Sequence, residues 1–293
     1  MSSNKVDNTP LNTDQSESPV LVGIDERGVA TVTLNRPAKH NAFDDAIISD
    51  LTAAFQAIEQ NEKARVLVLA SNGKSFSAGA DLAWMKRMAG YSYEENLQDA
   101  KALAEMLRVL NFMSIPTIAK VQGAAFGGAV GLVACCDIAV ASDRASFCLS
   151  EVKLGLIPAT ISPYVVDAIG ARASRRYFQT AERFSAEAAK QLSLVSEVIS
   201  LEQLDDQVEA LIGALLANGP VAMQAAKQLV FDVQNFDTSS KGLDEDSKPC
   251  ALINDTSERI AAIRVSEEGQ EGLTAFFEKR SANWLTNTLS DKG

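Results

Sequence analysis

Gly123-Ala124-Ala125-Phe126-Gly127-Gly128-Ala129 is the stretch that decides how this chain folds. It follows a compact apolar run at 116–121 that reads as a buried strand, and it leads into an apolar helix ending near Cys136. The small residues therefore mark a strand-to-helix turn. Glycine and alanine let a helix lie close on a sheet. They also leave backbone N–H groups accessible at the positive end of the helix. Close packing or an anion site would each account for the run, but no Gly-Lys-Ser/Thr follows it, so it is not a phosphate loop.

Upstream, residues 20–25 and 29–34 are β-prone and separated by Glu26-Arg27-Gly28, which predicts an antiparallel hairpin. Residues 44–60 carry apolar side chains at 47, 48, 51, 54, 55 and 58, one face of an amphipathic helix. A strand at 65–70 precedes a Ser-Asn-Gly-Lys-Ser loop and a helix opening near Asp81, and a long helix at 93–111 places Leu97, Leu103, Ala104, Leu107 and Leu110 on one side. Downstream, 138–141 and 145–148 read as short strands. Strand and helix alternate, so the fold class is α/β. Beyond about Leu201 the strands stop, and 202–216, 221–232, 253–265 and 268–284 read as helices. The expected division is a disordered tail (1–18), an α/β core (19–217) and a helical C-terminal region (218–293), with a break at Asn218-Gly219-Pro220 and a polar surface loop at 235–249.

The chain has 27 Lys and Arg against 38 Asp and Glu in 293 residues, a formal charge of −11. That sign disfavours attraction to nucleic acid or anionic lipid, so neither partner is expected. The tail is rich in Ser, Asn, Asp and Thr and cannot bury enough surface to order itself. It has neither the apolar centre of a signal peptide nor the Arg-rich character of a mitochondrial presequence. No apolar run reaches the roughly 18 residues of a membrane span, and a cytoplasmic protein is expected. Cys135, Cys136, Cys148 and Cys250 lack C-x-x-C spacing and read as buried free thiols. His40, the single histidine, has no Cys or His cluster beside it, so no metal site is expected and a solvated loop position suits it.

Two further features could carry chemistry. Ser77-Ala78-Gly79-Ala80-Asp81-Leu82 joins a buried strand to a helix; Gly79 permits a positive φ or a close approach, and Asp81 suits an N-cap. Its backbone N–H groups could hold an oxyanion, although a capped helix after a tight turn explains the run equally well. Glu151 follows a strand in Phe147-Cys148-Leu149-Ser150-Glu151-Val152. Burial there would raise its pKa and suit it to proton transfer near neutral pH; a salt-bridged surface glutamate is the other reading.

In order and spacing, Asn35-Arg36-Pro37 with Asn41-Ala42, the blocks at 76–81 and 122–128, and Ser150-Glu151 through Pro158 resemble the crotonase (enoyl-CoA hydratase/isomerase) superfamily. The resemblance runs from about residue 20 to residue 284 and includes Glu271-Gly272-Leu273-Thr274-Ala275-Phe276-Phe277-Glu278-Lys279-Arg280. It implies a ββα spiral core and a helical C-terminal region that trimerises, usually into a hexamer of two trimers. It also implies that the N–H groups of Ala80 and Gly128 bind the thioester carbonyl while Glu151 handles the proton at Cα. Lys39, Ala78, Asp81, Leu82 and Gly127 are expected along the acyl-CoA, although the usual basic position near Lys39 falls on Ala38. Phe276 and Lys279 are expected at its adenosine 3′-phosphate end, often from the neighbouring subunit. Coenzyme A thioester is then the substrate, and no cofactor is expected.

Within the superfamily, Ala80-Asp81-Leu82-Ala83-Trp84-Met85, the 122–128 block and Gly155-Leu156-Ile157-Pro158-Ala159-Thr160-Ile161-Ser162-Pro163-Tyr164 are similar to bacterial 3-methylglutaconyl-CoA and isohexenylglutaconyl-CoA hydratases of leucine and acyclic-terpene catabolism. Such an acyl chain carries its own carboxylate, for which Lys86 and Arg87 are candidate partners, since a buried unpaired charge is costly. There is one departure: relatives with two catalytic glutamates carry the first where this chain has Gly131. The expected activity is a lyase adding water to a 2-enoyl-CoA. A Δ3,Δ2-enoyl-CoA isomerase, which needs one base, is the alternative, and a noncatalytic or RNA-binding relative is a third reading that the net charge opposes.

Overall fold

The computed structural model describes residues 18–235 and 251–286. The expected tail apart from Ser18, the expected loop at 235–249 apart from Asn235, and Cys250 lie outside the described residues. Strands β1 (Val20–Ile24) and β2 (Val29–Leu34) pair antiparallel, with Val20 opposite Leu34. Helix α1 (Asp45–Glu59) is capped by Asp44, whose carboxylate accepts from the Ile47 N–H, and it buries Ile47, Ile48, Leu51, Ala54, Phe55 and Ile58, the face its spacing predicts. Strand β3 (Val66–Ser71), buried throughout, lies parallel to β2. Helices α2 (Leu82–Met88) and α3 (Tyr93–Asn111) lead to β4 (Thr117–Val121), parallel to β3. The predicted stripe on α3 is shorter than its sequence suggests. Leu97 is 40% exposed because residues 93–98 all face solvent, and the buried anchors are Met106, Leu107 and Leu110.

After β4 the chain leaves the sheet as β5 (Ala125–Phe126) and enters α4 (Gly128–Cys135) at once. Strand β6 (Ile138–Ser142) returns beside β4, whereas β7 (Ser146–Cys148) pairs with β5. A single 3-10 turn at Glu151–Leu154 and α5 (Ser162–Thr180) follow, then β8 (Phe184–Ser185), α6 (Ala186–Gln191) and β9 (Glu197–Ile199). Periodicity predicts none of these because Gly170 (φ 76°) breaks the helical period inside α5 and the strands are two and three residues long. The two sheets have the orders β1-β2-β3-β4-β6-β9 and β5-β7-β8. This is the α/β class read from the sequence.

Parallel strands buried on both faces need a cover on each. Leu67, Leu69, Ala119, Val121, Ala139 and Ala141 join the core formed with α1, α3 and α4. Val66, Val68, Ala70, Ile118 and Val140 pack on Leu204, Val208, Ile212 and Leu216 of α7 (Leu204–Leu216). Beyond lie α8 (Pro220–Asn235), α9 (Ala251–Val265), α10 (Glu267–Glu278) and α11 (Asn283–Thr286). The single helix predicted at 268–284 is in fact broken. Lys279 adopts φ 56° and the Arg280 N–H turns back to the Ala275 carbonyl at 3.0 Å, closing α10. Side chains tie this layer together: Arg65 donates to the Leu216 and Asn218 carbonyls at 3.1 and 2.9 Å, and Glu268 caps α8 by accepting from the Val221 and Ala222 N–H groups at 2.9 and 2.8 Å. Cys135 and Cys148 are buried and Cys136 partly so, all as free thiols. Among the described residues no single helix is long and apolar enough to cross a membrane.

Candidate active site

The turn between β3 and α2 is held from three sides. The Ser77 N–H donates to the Ala124 carbonyl and the Ser77 carbonyl accepts from the Phe126 N–H, both at 3.0 Å, while Ser77 Oγ donates to the Asn41 carbonyl at 2.8 Å and accepts from the Gly79 N–H at 3.1 Å. The Phe43 N–H donates to the Gly79 carbonyl and the Phe43 carbonyl accepts from the Asp81 N–H, each at 2.9 Å. Phe43 thus spans the residues on either side of Ala80 in a parallel bridge, so the Ala80 N–H points away from it. That N–H makes no hydrogen bond among the described residues.

A second free donor lies beside the first. Gly127, at φ 54°, donates to the Cys148 carbonyl at 2.8 Å and precedes α4, whose first residue, Gly128, has an N–H with no acceptor among the described residues. The two turns touch: a Cβ on Gly79 (φ 86°) would lie 2.7 Å from the Phe126 carbonyl oxygen. A Cβ on Gly128 would lie 2.7 Å from Phe43 Cζ. Phe43, 1% exposed, therefore pins one donor through its backbone and forbids a side chain at the other through its ring.

Glu151 opens the 3-10 turn after β7, and its Oε1 lies 3.5 Å from where a Cβ on Gly127 would stand. Oε2 is buried and has no hydrogen-bond partner among the described residues. Burial lifts this carboxyl above the usual carboxylate range, its own backbone N–H opposing the shift. No second carboxylate could stand at Gly131. A Cβ there would lie 2.4 Å from Ile161 Cγ2 and 3.4 Å from Leu107 Cδ2, with Ile161 itself 1% exposed.

The Ala80 turn opens on a cleft of about 520 Å³ lined by Lys39, His40, Ala42, Ala78, Ala80, Asp81, Leu82 and Ala83. Asp81 is the N-cap of α2, accepting from Ala83 N–H at 2.8 Å, and its other oxygen meets Arg36 and Lys39, each at 3.2 Å. Burial alone would raise its carboxyl, but the Ala83 N–H, Lys39 and the Trp84 N–H outweigh it and hold it below the usual range. Arg36 also reaches Asp44, the cap of α1, at 3.2 Å, and so joins two helix starts. Grooves of similar or larger volume between the sheet and α7 and along α5 hold none of the free donors.

The structure therefore gathers Lys39, Ala78, Ala80, Asp81 and Leu82 around one cleft; the Gly127–Gly128 turn touches the Ala80 turn at Gly79, and Glu151 lies beside Gly127. Phe276 and Lys279 are not part of it: they sit at the end of α10, Phe276 77% exposed. Lys86 and Arg87 do not line the cleft either. The helical period turns them to solvent opposite buried Trp84, and the Arg87 guanidinium is engaged by Asp45. His40, read as a solvated loop residue, is exposed but lines the cleft. Phe43 and Ile161 are structural determinants of the site that the sequence pattern does not single out.

Residues 25–287 match the family described as enoyl-CoA hydratase/isomerase. An enoyl-CoA hydratase from Shewanella pealeana, known from its crystal structure, is 49% identical with a TM-score of 0.84, over 92% of this chain and 97% of that one. The crotonyl-CoA hydratase of Syntrophomonas wolfei is 28% identical over 89% of this chain and 96% of that protein. The 2,3-dehydroadipyl-CoA hydratase of Escherichia coli is 29% identical over 91% of this chain and 98% of that protein. The match extends from the β1–β2 hairpin to α11 and takes in both free donors and Glu151, so the chain belongs to the enoyl-CoA hydratase/isomerase family of the crotonase superfamily and is a hydratase-type enzyme.

Proposed function

We propose that this chain adds water across the double bond of a 2-enoyl-CoA, with the Ala80 and Gly128 N–H groups holding the thioester oxygen and Glu151 as the single acid–base group. The observation that carries the reading is the partly buried Glu151 carboxylate, with Oε1 beside Gly127, a buried Oε2 that has no partner among the described residues, and two unused backbone donors nearby. Glu151 takes a proton from water as the water oxygen bonds to Cβ, and the double-bond electrons move onto the thioester oxygen as an enolate. Two preorganised donors favour that charge, each worth about 3 to 4 kcal/mol in the barrier. The enolate then takes the proton back from Glu151 at Cα; water has been added and the carboxylate restored. The test follows loss of the conjugated enoyl-thioester absorbance with wild type and Glu151→Gln. Equal rates for the two would refute the role of Glu151.

A Δ3,Δ2-enoyl-CoA isomerase is the second reading, and the Ile161 wall at Gly131 favours it, because a proton shift needs one base and no water. Oxygen-18 from labelled water enters the product of hydration and is absent from that of isomerisation. For the acyl chain we infer a glutaconyl type, 3-methylglutaconyl or isohexenylglutaconyl. The wording of the 80–85, 122–128 and 155–164 blocks supports this, as does the diacid in the name of the E. coli relative. A higher kcat/KM with crotonyl-CoA than with methylglutaconyl-CoA would overturn it. For the assembly, a trimer or hexamer would bring the exposed Phe276 and Lys279 to a neighbour's coenzyme A; light scattering that finds a monomer removes that role.

A further inference from the structure

Helix α2 follows the Ala80 turn and supplies Leu82 and Ala83 to the wall of the cleft. Seven residues are too few to hold a helix without packing. Trp84, 3% exposed, is its one buried side chain, whereas Leu82 is 82% exposed. The ring joins the main core. Its Nε1–H donates to Asp99 Oδ1 of α3 at 3.2 Å, its one partner among the described residues. A buried indole N–H without an acceptor is costly, so Asp99 decides how the ring is seated.

The pair holds more than one ring. Residues 92–98 are exposed, and Asp99 is the first residue of α3 to be partly buried. The stretch between the two helices is closed locally. Asn96 Nδ2 donates to the Met88, Tyr91 and Ser92 carbonyls at 3.4, 3.2 and 3.0 Å, and Ser92 and Glu95 form a capping box. This unit also meets α1 where Arg87 pairs with Asp45, but those side chains are 48% and 55% exposed and solvent weakens such a pair. A hydrogen bond from a buried indole to a carboxylate is the stronger tie. At the other end of α2, Asp81 accepts the Ala83 and Trp84 N–H groups at 2.8 and 3.4 Å. Trp84 is thus bonded through its ring to Asp99 and through its backbone to the cap that adjoins Ala80.

We propose that Asp99 is a positioning residue: by holding the Trp84 indole it sets where α2 begins, and hence where the Ala80 N–H points. This rests on the reading that the Ala80 N–H binds the thioester oxygen. Asp99 itself does not line the cleft. Without its carboxylate the indole turns toward water or another acceptor, and the Trp84 backbone moves with it. The effect reaches the reaction through a donor displaced from the oxygen on which charge develops, so it appears in kcat more than in KM.

Steady-state hydration tests this on the full chain for wild type, Asp99→Asn and Asp99→Leu, with whichever of crotonyl-CoA and 3-methylglutaconyl-CoA the wild type hydrates faster. Asparagine keeps an oxygen that accepts the indole N–H; leucine keeps the bulk and removes the acceptor. Asp99→Leu is expected to lose about 10- to 100-fold in kcat with KM little changed, the range for a catalytic group misplaced by up to about 1 Å. Asp99→Asn stays close to wild type. The spectroscopic signature is the carbonyl stretch of bound butanoyl-CoA, a saturated thioester with no double bond to hydrate. Wild type and Asp99→Asn lower its frequency, and Asp99→Leu returns it toward the free value. Trp84→Phe keeps a ring in the core and removes the N–H, so it carries the test if Asp99→Leu does not fold, and it should show the same loss. The double variant should be no slower than either single one. Wild-type kcat in Asp99→Leu, equal losses in Asp99→Asn and Asp99→Leu, or additive losses in the double variant overturn the proposal alone. A butanoyl-CoA carbonyl that wild type binds without a shift overturns it together with the reading beneath it.

Discussion

Gly128→Ala tests whether the two donors are built as one unit. The new Cβ would stand 2.7 Å from Phe43 Cζ and 3.3 Å from Cε2. Carbon atoms prefer about 3.5 to 4.0 Å, so the ring must retreat by about 1 Å. Phe43 is 1% exposed and its backbone brackets Ala80 through Gly79 and Asp81 at 2.9 Å each. The ring has no free space to enter, and its movement pulls on the first donor while the substitution disturbs the second. Overpacking of this kind costs about 1 to 3 kcal/mol of stability. Misplacing one oxyanion donor costs about 10²- to 10³-fold in kcat. The assay is steady-state hydration alongside thermal unfolding, for Gly128→Ala, Phe43→Leu and the double variant. If the clash is the cause, Phe43→Leu relieves it, and the double variant regains at least about tenfold of the lost kcat, or about 1.4 kcal/mol. Wild-type kcat in Gly128→Ala, or strictly additive losses in the double variant, would refute the reasoning.

Other perturbations read other parts of the site. A Glu151 carboxyl raised by burial favours the protonated folded state, so its contribution to stability is full below the ordinary carboxylate range and is lost as pH rises through the raised value. Thermal unfolding should therefore find Glu151→Gln more stable than wild type near pH 8 and no more stable near pH 4; a gap independent of pH contradicts this. Asp81 has the opposite sign: its lowered carboxyl stabilises at neutral pH and less as pH falls. Asp81→Asn, which keeps a cap but loses Arg36 and Lys39, should cost about 1.5 kcal/mol near pH 7, the low end for a bond to a charged group because Lys39 is half exposed, and the deficit should shrink in acid. Gly131→Ala drives a methyl against Ile161 and should lower stability by about 1 to 3 kcal/mol, with Ile161→Ala restoring part of it; unfolding of the single and double variants decides.

What the sequence made legible was periodic and local. The six buried positions of α1, the hairpin at Gly28 and the strand-to-helix turn at Gly127 each follow from spacing within a few residues. The break at Lys279 was hidden because a lysine in a left-handed conformation carries no residue-type signal, unlike a glycine. His40 and Asn41 are residue types that tolerate positive φ, but spacing alone does not show that they adopt it here. Their positive φ values depend on the buried Asn41 side chain, which accepts from the Arg36 N–H at 2.8 Å and donates to the Asn72 and Ser75 carbonyls at 2.8 and 2.9 Å, groups far along the chain. Of the two candidate cations Lys86 and Arg87, Arg87 is engaged by Asp45 of α1, a pairing that tertiary structure sets and local sequence does not reveal. Whether a backbone N–H is free depends on every neighbouring acceptor, and at Ala80 the deciding neighbour is Phe43, on the other side of β3 in sequence.

Gly131 bears directly on how one carboxylate can serve two proton transfers. A hydration needs a base at one moment and an acid at the next. Two carboxylates divide those states between them, one charged and one neutral. Here Ile161 and Leu107 fill the second position with methyl groups, so division of labour is closed off. In the hydration proposed for this chain, Glu151 would accept and donate in turn, which is efficient only when neither form is strongly preferred near the working pH. Burial moves the group in that direction, since desolvation raises the Glu151 carboxyl from its ordinary value and no neighbouring charge contributes to the shift. The apolar wall stands at Gly131 inside α4 and Glu151 lies beside Gly127 at the start of the same helix, so one element positions both the closed site and the carboxylate that is left.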